Sequence, residues 1–181
     1  MRGFLQFVAL LSFAGIAGAQ QFKLPDNLGP DLPTPETVVE EMLKAAQVKP
    51  GETVYDLGCG DGRILIAAAR NFNAKAVGIE MSRDIYEKTA AHIAQLGLSD
   101  RVTVIHGNAL HADLSKADVV TLYLLTSSND RLKPELSHLH PGARVVSHDF
   151  PIPGWKTAGV STVTVMGIKH KIYLYEVAPK S

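Results

Sequence analysis

The chain has 181 residues, with Lys+Arg and Asp+Glu equal at 18 each and a single cysteine. That length suits one domain with a substantial core. Balanced charge offers no basic surplus to attract nucleic acid, and the lone Cys59 excludes an internal disulfide.

Arg2 precedes an apolar run from Phe4 to Ala19 that closes Ala17-Gly18-Ala19. A charged start, a short apolar stretch and an A-x-A ending predict a secretory signal peptide over residues 1–19. The run is roughly sixteen residues, short of the ~20 that span a bilayer. Export to the periplasm or the exterior is therefore expected, with a membrane anchor over 4–19 as the alternative and no further integral span. Residues 20–32, rich in Pro, Gly, Asp and Asn, read as a linker. A single domain is expected over 33–178.

Thr34-Pro35-Glu36 predicts a helix start, with a hydroxyl cap, proline in the first turn and an acid beside it. Val38, Val39, Met42, Leu43 and Ala46 follow at helical spacing, and this helix is expected over the ligand cleft. Val54 to Leu57 reads as a buried strand. It runs into Gly58-Cys59-Gly60-Asp61-Gly62 and then a helix over Ile64–Arg70. Glycine at every second position permits positive φ and a close approach of backbone N–H groups to a ligand. The spacing is neither G-x-G-x-x-G nor a P-loop.

Asp56 ends the first strand, and Glu80 ends the next apolar run, 74–80. At the carboxyl edge of a doubly wound sheet, Glu80 suits the two ribose hydroxyls. An acid at the first turn suits a cationic ligand better than a pyrophosphate. The pair favours S-adenosylmethionine, with its ammonium and sulfonium, over NAD.

Ser82 predicts a helix cap, with Ile85, Thr89, Ile93 and Leu96 facing inward and Gly97 as the stop. Strands follow over 101–106 and 119–124, and a helix over 127–139 that is kinked or broken at Pro134. A fifth strand spans 144–148. The segments 161–165 and 171–177 read as a closing antiparallel pair turning near Gly167. The expected fold is α/β: a Rossmann-like, doubly wound, seven-stranded sheet, mostly parallel with a C-terminal antiparallel hairpin.

The stretch V-Y-D-L-G-C-G-D-G-R-I with A-V-G-I-E after it resembles the cofactor site of class I, seven-β-strand methyltransferases. Pro33-Thr34-Pro35, the run Asp118 to Thr126, Lys133-Pro134 and Pro141-Gly142-Ala143-Arg144-Val145-Val146-Ser147-His148-Asp149-Phe150 resemble one branch of it. That branch is the archaeal and mitochondrial protein-lysine methyltransferases, including enzymes acting on the ATP synthase c subunit. The likeness covers about Asp31 to Tyr175.

The resemblance implies S-adenosylmethionine held by Thr34, Asp56, Leu57, Gly58, Cys59, Gly60, Glu80, Met81, Asn108 and Ala109. Asn108 stands where many relatives carry Asp against the adenine edge. Cys59 reads as a small filler rather than a nucleophile, with its N–H able to face the ligand. Tyr123 ends the fourth strand, where an acceptor meets the methyl group. His148 and Asp149 end the fifth and are candidate acid–base groups, so these three are the catalytic candidates. His106, His111, His138, His140 and His170 are scattered without ligand spacing, so no metal is expected. Trp155 is read as a loop anchor.

The implied reaction is methyl transfer to the ε-amine of an exposed protein lysine. The absence of Asn/Asp-Pro-Pro-Tyr/Phe after the fourth strand argues against DNA bases and glutamine amides. The alternatives are a small-molecule methyltransferase on the same fold and a non-catalytic exported protein that retains it. Export stands in tension with a cofactor made in the cytosol.

Overall fold

The computed structural model describes residues 28–29 and 32–178. The signal-peptide reading and most of the 20–32 stretch lie outside the described residues.

Strand β1 (Thr53–Leu57) is buried from Val54 onward and pairs in parallel with β2 (Lys75–Glu80) and β4 (Val119–Leu122). Such continuous apolar runs suit strands covered on both faces. β3 (Val102–His106) adds in parallel to β2, and β5 (Arg144–His148) to β4. β7 (Ile168–Glu176) lies antiparallel between β5 and β6 (Gly159–Val165). The order is therefore β3-β2-β1-β4-β5-β7-β6, the expected mostly parallel seven-stranded sheet with an antiparallel hairpin. Positive φ at both Met166 and Gly167 gives the tight turn that matches strand twist.

Helices cover both faces. On one, α1 (Glu36–Ala45), α2 (Arg63–Asn71) and α3 (Arg83–Gln95) bury Val39, Met42, Leu65 and Ile93 against Val54 and Val146. On the other, a short 3-10 turn at 109–111, α4 (Thr126–Arg131) and α5 (Lys133–Leu136) pack Leu110, Leu132 and Leu136 against Leu57, Leu122 and Tyr175. Ser82 caps α3 as expected, its hydroxyl accepting from the Ile85 N–H at 3.4 Å. Trp155 packs edge-on against Tyr175, an anchor for its loop.

Three local expectations are corrected. Residue 35, not Thr34, is the N-cap of α1, and no side chain caps that helix. The Thr34 hydroxyl is instead 3.3 Å from His148 Nδ1, across the fold. Helix α1 packs on α2 and on β5, β6 and β7 rather than over a cleft, because its apolar face needs that sheet surface. The 127–139 helix is two short helices divided at Leu132; Pro134 lies in the first turn of the second, where its missing N–H is harmless.

Gly78 in β2 faces the glycine loop. A Cβ there would lie 2.5 Å from Cys59 Sγ and 2.6 Å from Leu65 Cδ1. Gly78→Ala is expected to destabilise the fold by about 1–3 kcal/mol through overpacking, measured by urea unfolding. Gly97→Ala tests a different cause, since its Cβ would meet nothing and only the positive φ is strained.

Candidate methyl-transfer site

The carboxyl ends of β1, β2 and β4 open into a cleft of about 490 Å³. Its walls are the glycine loop, the turn after β2, Asn108 and Ala109 after β3, Tyr123 and Leu124 after β4, and the segment ahead of α1. That segment includes Leu28, which is buried and whose carbonyl accepts from the Ser128 hydroxyl on α4.

The glycine loop has positive φ at Gly58, Gly60 and Gly62. Four of its N–H groups bond within the protein. Gly58 and Cys59 both donate to the Ile79 carbonyl, at 2.9 and 3.1 Å, and Gly62 donates to the Cys59 carbonyl at 2.9 Å. Gly60 donates to Glu80 Oε2 at 3.1 Å. With those donors consumed, the loop is no anion cradle of the kind that binds pyrophosphate. What the glycines supply is close approach: a Cβ on Gly58 would stand 3.4 Å from Leu124 Cδ2, and one on Gly62 2.8 Å from Thr89.

Asp56 is buried and accepts the Thr121 hydroxyl at 2.6 Å. Burial pushes its carboxyl up to about 7, against the lowering effect of that hydrogen bond. Asp61 and Glu80 add smaller repulsions in the same upward direction. Such a group gains by meeting a cation. Glu80 is also buried; its Oε1 accepts from the Ser82 N–H at 2.8 Å. Each Glu80 oxygen retains a lone pair for a hydroxyl donor.

Asn108 Oδ1 accepts from the Leu110 N–H at 3.0 Å, so it shapes the turn while its amide still borders the cleft. Cys59 is buried, and burial raises its thiol, as suits a filler. Arg63, not singled out from sequence, donates to the Thr34 carbonyl at 2.7 Å and pairs with Asp61. It ties the segment ahead of α1 to the loop.

The sequence matches the family described as the ANTKMT methyltransferase domain over residues 56–159, more than half of the chain. The chain belongs to that methyltransferase family. It is an S-adenosylmethionine-dependent, class I methyltransferase. A protein-lysine N-methyltransferase of Saccharolobus islandicus (strain REY15A) is 47% identical over 81% of this chain and 92% of that protein. The adenine nucleotide translocase lysine N-methyltransferase of Mus musculus is 33% identical over 67% of this chain, which spans 53% of it. A crystal structure from Salinibacter ruber, described as an RNA methyltransferase in complex with S-adenosyl-L-homocysteine, superposes with a TM-score of 0.76. It is 42% identical, over 83% of this chain and 96% of that one.

Within this methyltransferase, nine of the ten cofactor candidates line the cleft: Thr34, Asp56, Gly58, Cys59, Gly60, Glu80, Met81, Asn108 and Ala109. Leu57 does not. It is 1% exposed and packs with Leu122 and Tyr175, because strand alternation turns it away from its neighbour Asp56. Among the catalytic candidates, only Tyr123 lines the cleft. His148 is fully buried behind it, its ring stacked on Tyr123 at 3.9 Å. Burial lowers His148 to about 4, so the ring is neutral at pH 7. Asp149 is half-buried and joins His148 and His170 rather than the cleft.

Two pH trends of opposite sign follow from Asp56. In the free protein its raised carboxyl makes the folded state hold the proton more tightly than the unfolded chain. The Asp56 contribution to stability is full below ~4 and declines as pH rises through about 7. Affinity for a cationic cofactor runs the other way and strengthens between pH 6 and 8. Calorimetry on wild type and Asp56→Asn should show both slopes in the difference between them. Affinity at pH 8 should fall about ten- to a hundredfold in the variant.

Proposed function

We propose that this protein transfers a methyl group from S-adenosylmethionine to the ε-amine of a lysine on a protein substrate. The observation that carries this reading is the 47% identity to the Saccharolobus protein-lysine N-methyltransferase across nearly all of that protein's length.

The residues present fit the cofactor. Asp56 is a buried acid at the edge of the cleft, suited to the ammonium or sulfonium. Glu80 has a free lone pair on each oxygen for the ribose hydroxyls. The glycine loop lines the cleft at Gly58 and Gly60. When bound, the cofactor supplies an electrophilic methyl on a positively charged sulfur. Thr34, Met81, Asn108 and Ala109 complete the enclosing wall.

The chain's own task is alignment and proton loss. A lysine with a pKa near 10.4 must lose a proton, which at pH 7 costs about 4.6 kcal/mol. Desolvation in the cleft lowers that cost. Tyr123, half-buried at the end of β4, presents its hydroxyl to orient the amine. His148 and Asp149 act as positioning residues behind its ring. The substrate ammonium gives up its proton to solvent through the open cleft before the neutral nitrogen takes the methyl, and the methylated product carries the positive charge, so no single indispensable base is required.

The Salinibacter relative, described as an RNA methyltransferase, gives a second reading in which the acceptor is RNA. The equal numbers of acidic and basic residues weigh against it. A small-molecule acceptor and a non-catalytic role stand behind these. The charged, apolar and small-residue pattern over 1–19 supports export, or a membrane anchor over 4–19; no helix among the described residues is long and apolar enough to cross a membrane.

Methyl-labelled S-adenosylmethionine incubated with the enzyme and separate protein, RNA and small-molecule fractions distinguishes the acceptors. Label recovered as methyl-lysine after protein hydrolysis is expected, and label in RNA or small molecules alone would overturn the lysine reading. Tyr123→Phe is expected to lower kcat/KM for the acceptor about five- to tenfold, the worth of one hydrogen bond, with cofactor affinity unchanged.

A further inference from the structure

His148, Asp149 and His170 lie outside the cofactor cleft, yet the fold brings three metal-ligating atoms to one point. His148 Nε2 and His170 Nδ1 are 2.9 Å apart, and Asp149 Oδ2 is 3.2 Å from each of them. We propose that these three side chains bind a single divalent transition-metal ion of the zinc class at the carboxyl end of β5.

The geometry carries the argument. Donors held at about 2.0–2.1 Å from a tetrahedral zinc stand roughly 3.3 Å from one another, and octahedral neighbours roughly 3.0 Å. The observed triangle has those edges. The chemistry agrees with the shape: two imidazoles and one carboxylate select zinc or a similar first-row ion over magnesium or calcium, which prefer all-oxygen shells. Three protein ligands also leave a coordination position for water.

The surroundings orient each donor as a ligand. His148 Nδ1 faces the Thr34 hydroxyl at 3.3 Å; donation of that N–H leaves the Nε2 lone pair directed at the centre. Asp149 Oδ1 is held by the Lys171 N–H at 2.7 Å, which leaves Oδ2 for the ion. The Asp149 backbone is left-handed, with φ +59, and its N–H donates to the Lys171 carbonyl. That conformation, more accessible to Asp than to most residues, turns its carboxylate back towards β7. His148 is fully buried, with one ring face covered by Tyr123. His148 Nε2 and His170 Nδ1 face each other at 2.9 Å, a separation that either an N–H···N hydrogen bond or a shared cation accommodates. A bound ion would fasten the end of β5 to β7 and, through the ring stack, fix Tyr123.

The test uses the full chain, first stripped with a chelator and then titrated with Zn²⁺ against a competing chromophoric chelator. Magnesium and calcium serve as controls. One zinc per chain is expected, insensitive to excess magnesium, with an absorption-edge spectrum showing two imidazoles. His170→Ala and Asp149→Asn should each weaken zinc binding at least about tenfold, while melting like wild type in the presence of chelator. Absence of binding would overturn the proposal and leave a proton-bridged polar cluster. So would binding that survives both substitutions, which would place the ion on other histidines. Should either variant fail to fold, the wild-type spectrum and its zinc-dependent melting shift decide the matter.

Discussion

The Glu80 carboxylate holds this structure's working edge together. From the end of β2 it accepts the Gly60 N–H with one oxygen and the Ser82 N–H with the other. One side chain thereby closes the glycine loop after β1 and the start of α3. Bonds of this kind to a charged acceptor are each worth roughly 1.5–3 kcal/mol, more than neutral ones. The adjacent Ile79 carbonyl receives two further loop N–H groups, so the end of β2 anchors nearly the whole turn. The cleft is thus shaped by bonds made within the protein, and what remains for a ligand is an acid at each of two strand ends. Asp56 differs in kind. A single hydroxyl steadies it, and burial leaves it poised to lose its proton when a cation arrives.

Much of this could be read from the sequence because the informative residues are close together in it. Apolar runs ending in Asp56 and Glu80 placed both acids at one sheet edge, and the spacing of the glycines excluded the common phosphate loops. The hairpin was legible from two alternating segments and Gly167. What escaped was long-range pairing between side chains. Thr34 looked like a helix cap because its neighbours fit one, but its hydroxyl partner lies 114 positions away. Thr121 and Arg63 hold the site through bonds that no local pattern announces. Leu57 is the exception: strand alternation alone would have turned it into the core.

His170 shows the same limit most clearly. As one of several spaced histidines it carried no signal, and pairing of β5 with β7 placed it against His148 and Asp149. The loop after β5 depends on distant tethers too. Asn129 on α4 donates to the Phe150 carbonyl at 2.9 Å, and the Ser147 hydroxyl donates to the same oxygen at 2.6 Å. The loop after β5 is therefore positioned by α4, β5 and β7 together, whereas the glycine-loop side of the cleft is positioned largely by β1 and β2.

The place of β7 in the sheet also bears on the order in which the protein can be completed. β5 is made before β6 and β7, yet its outer neighbour is β7, and β6 reaches the sheet only through β7. Without the hairpin, β1 to β5 would present a raw edge along β5. His148 then has neither His170 beside it nor the β7 backbone to hold Asp149. The hairpin is therefore needed to complete the end of β5 behind the Tyr123 ring.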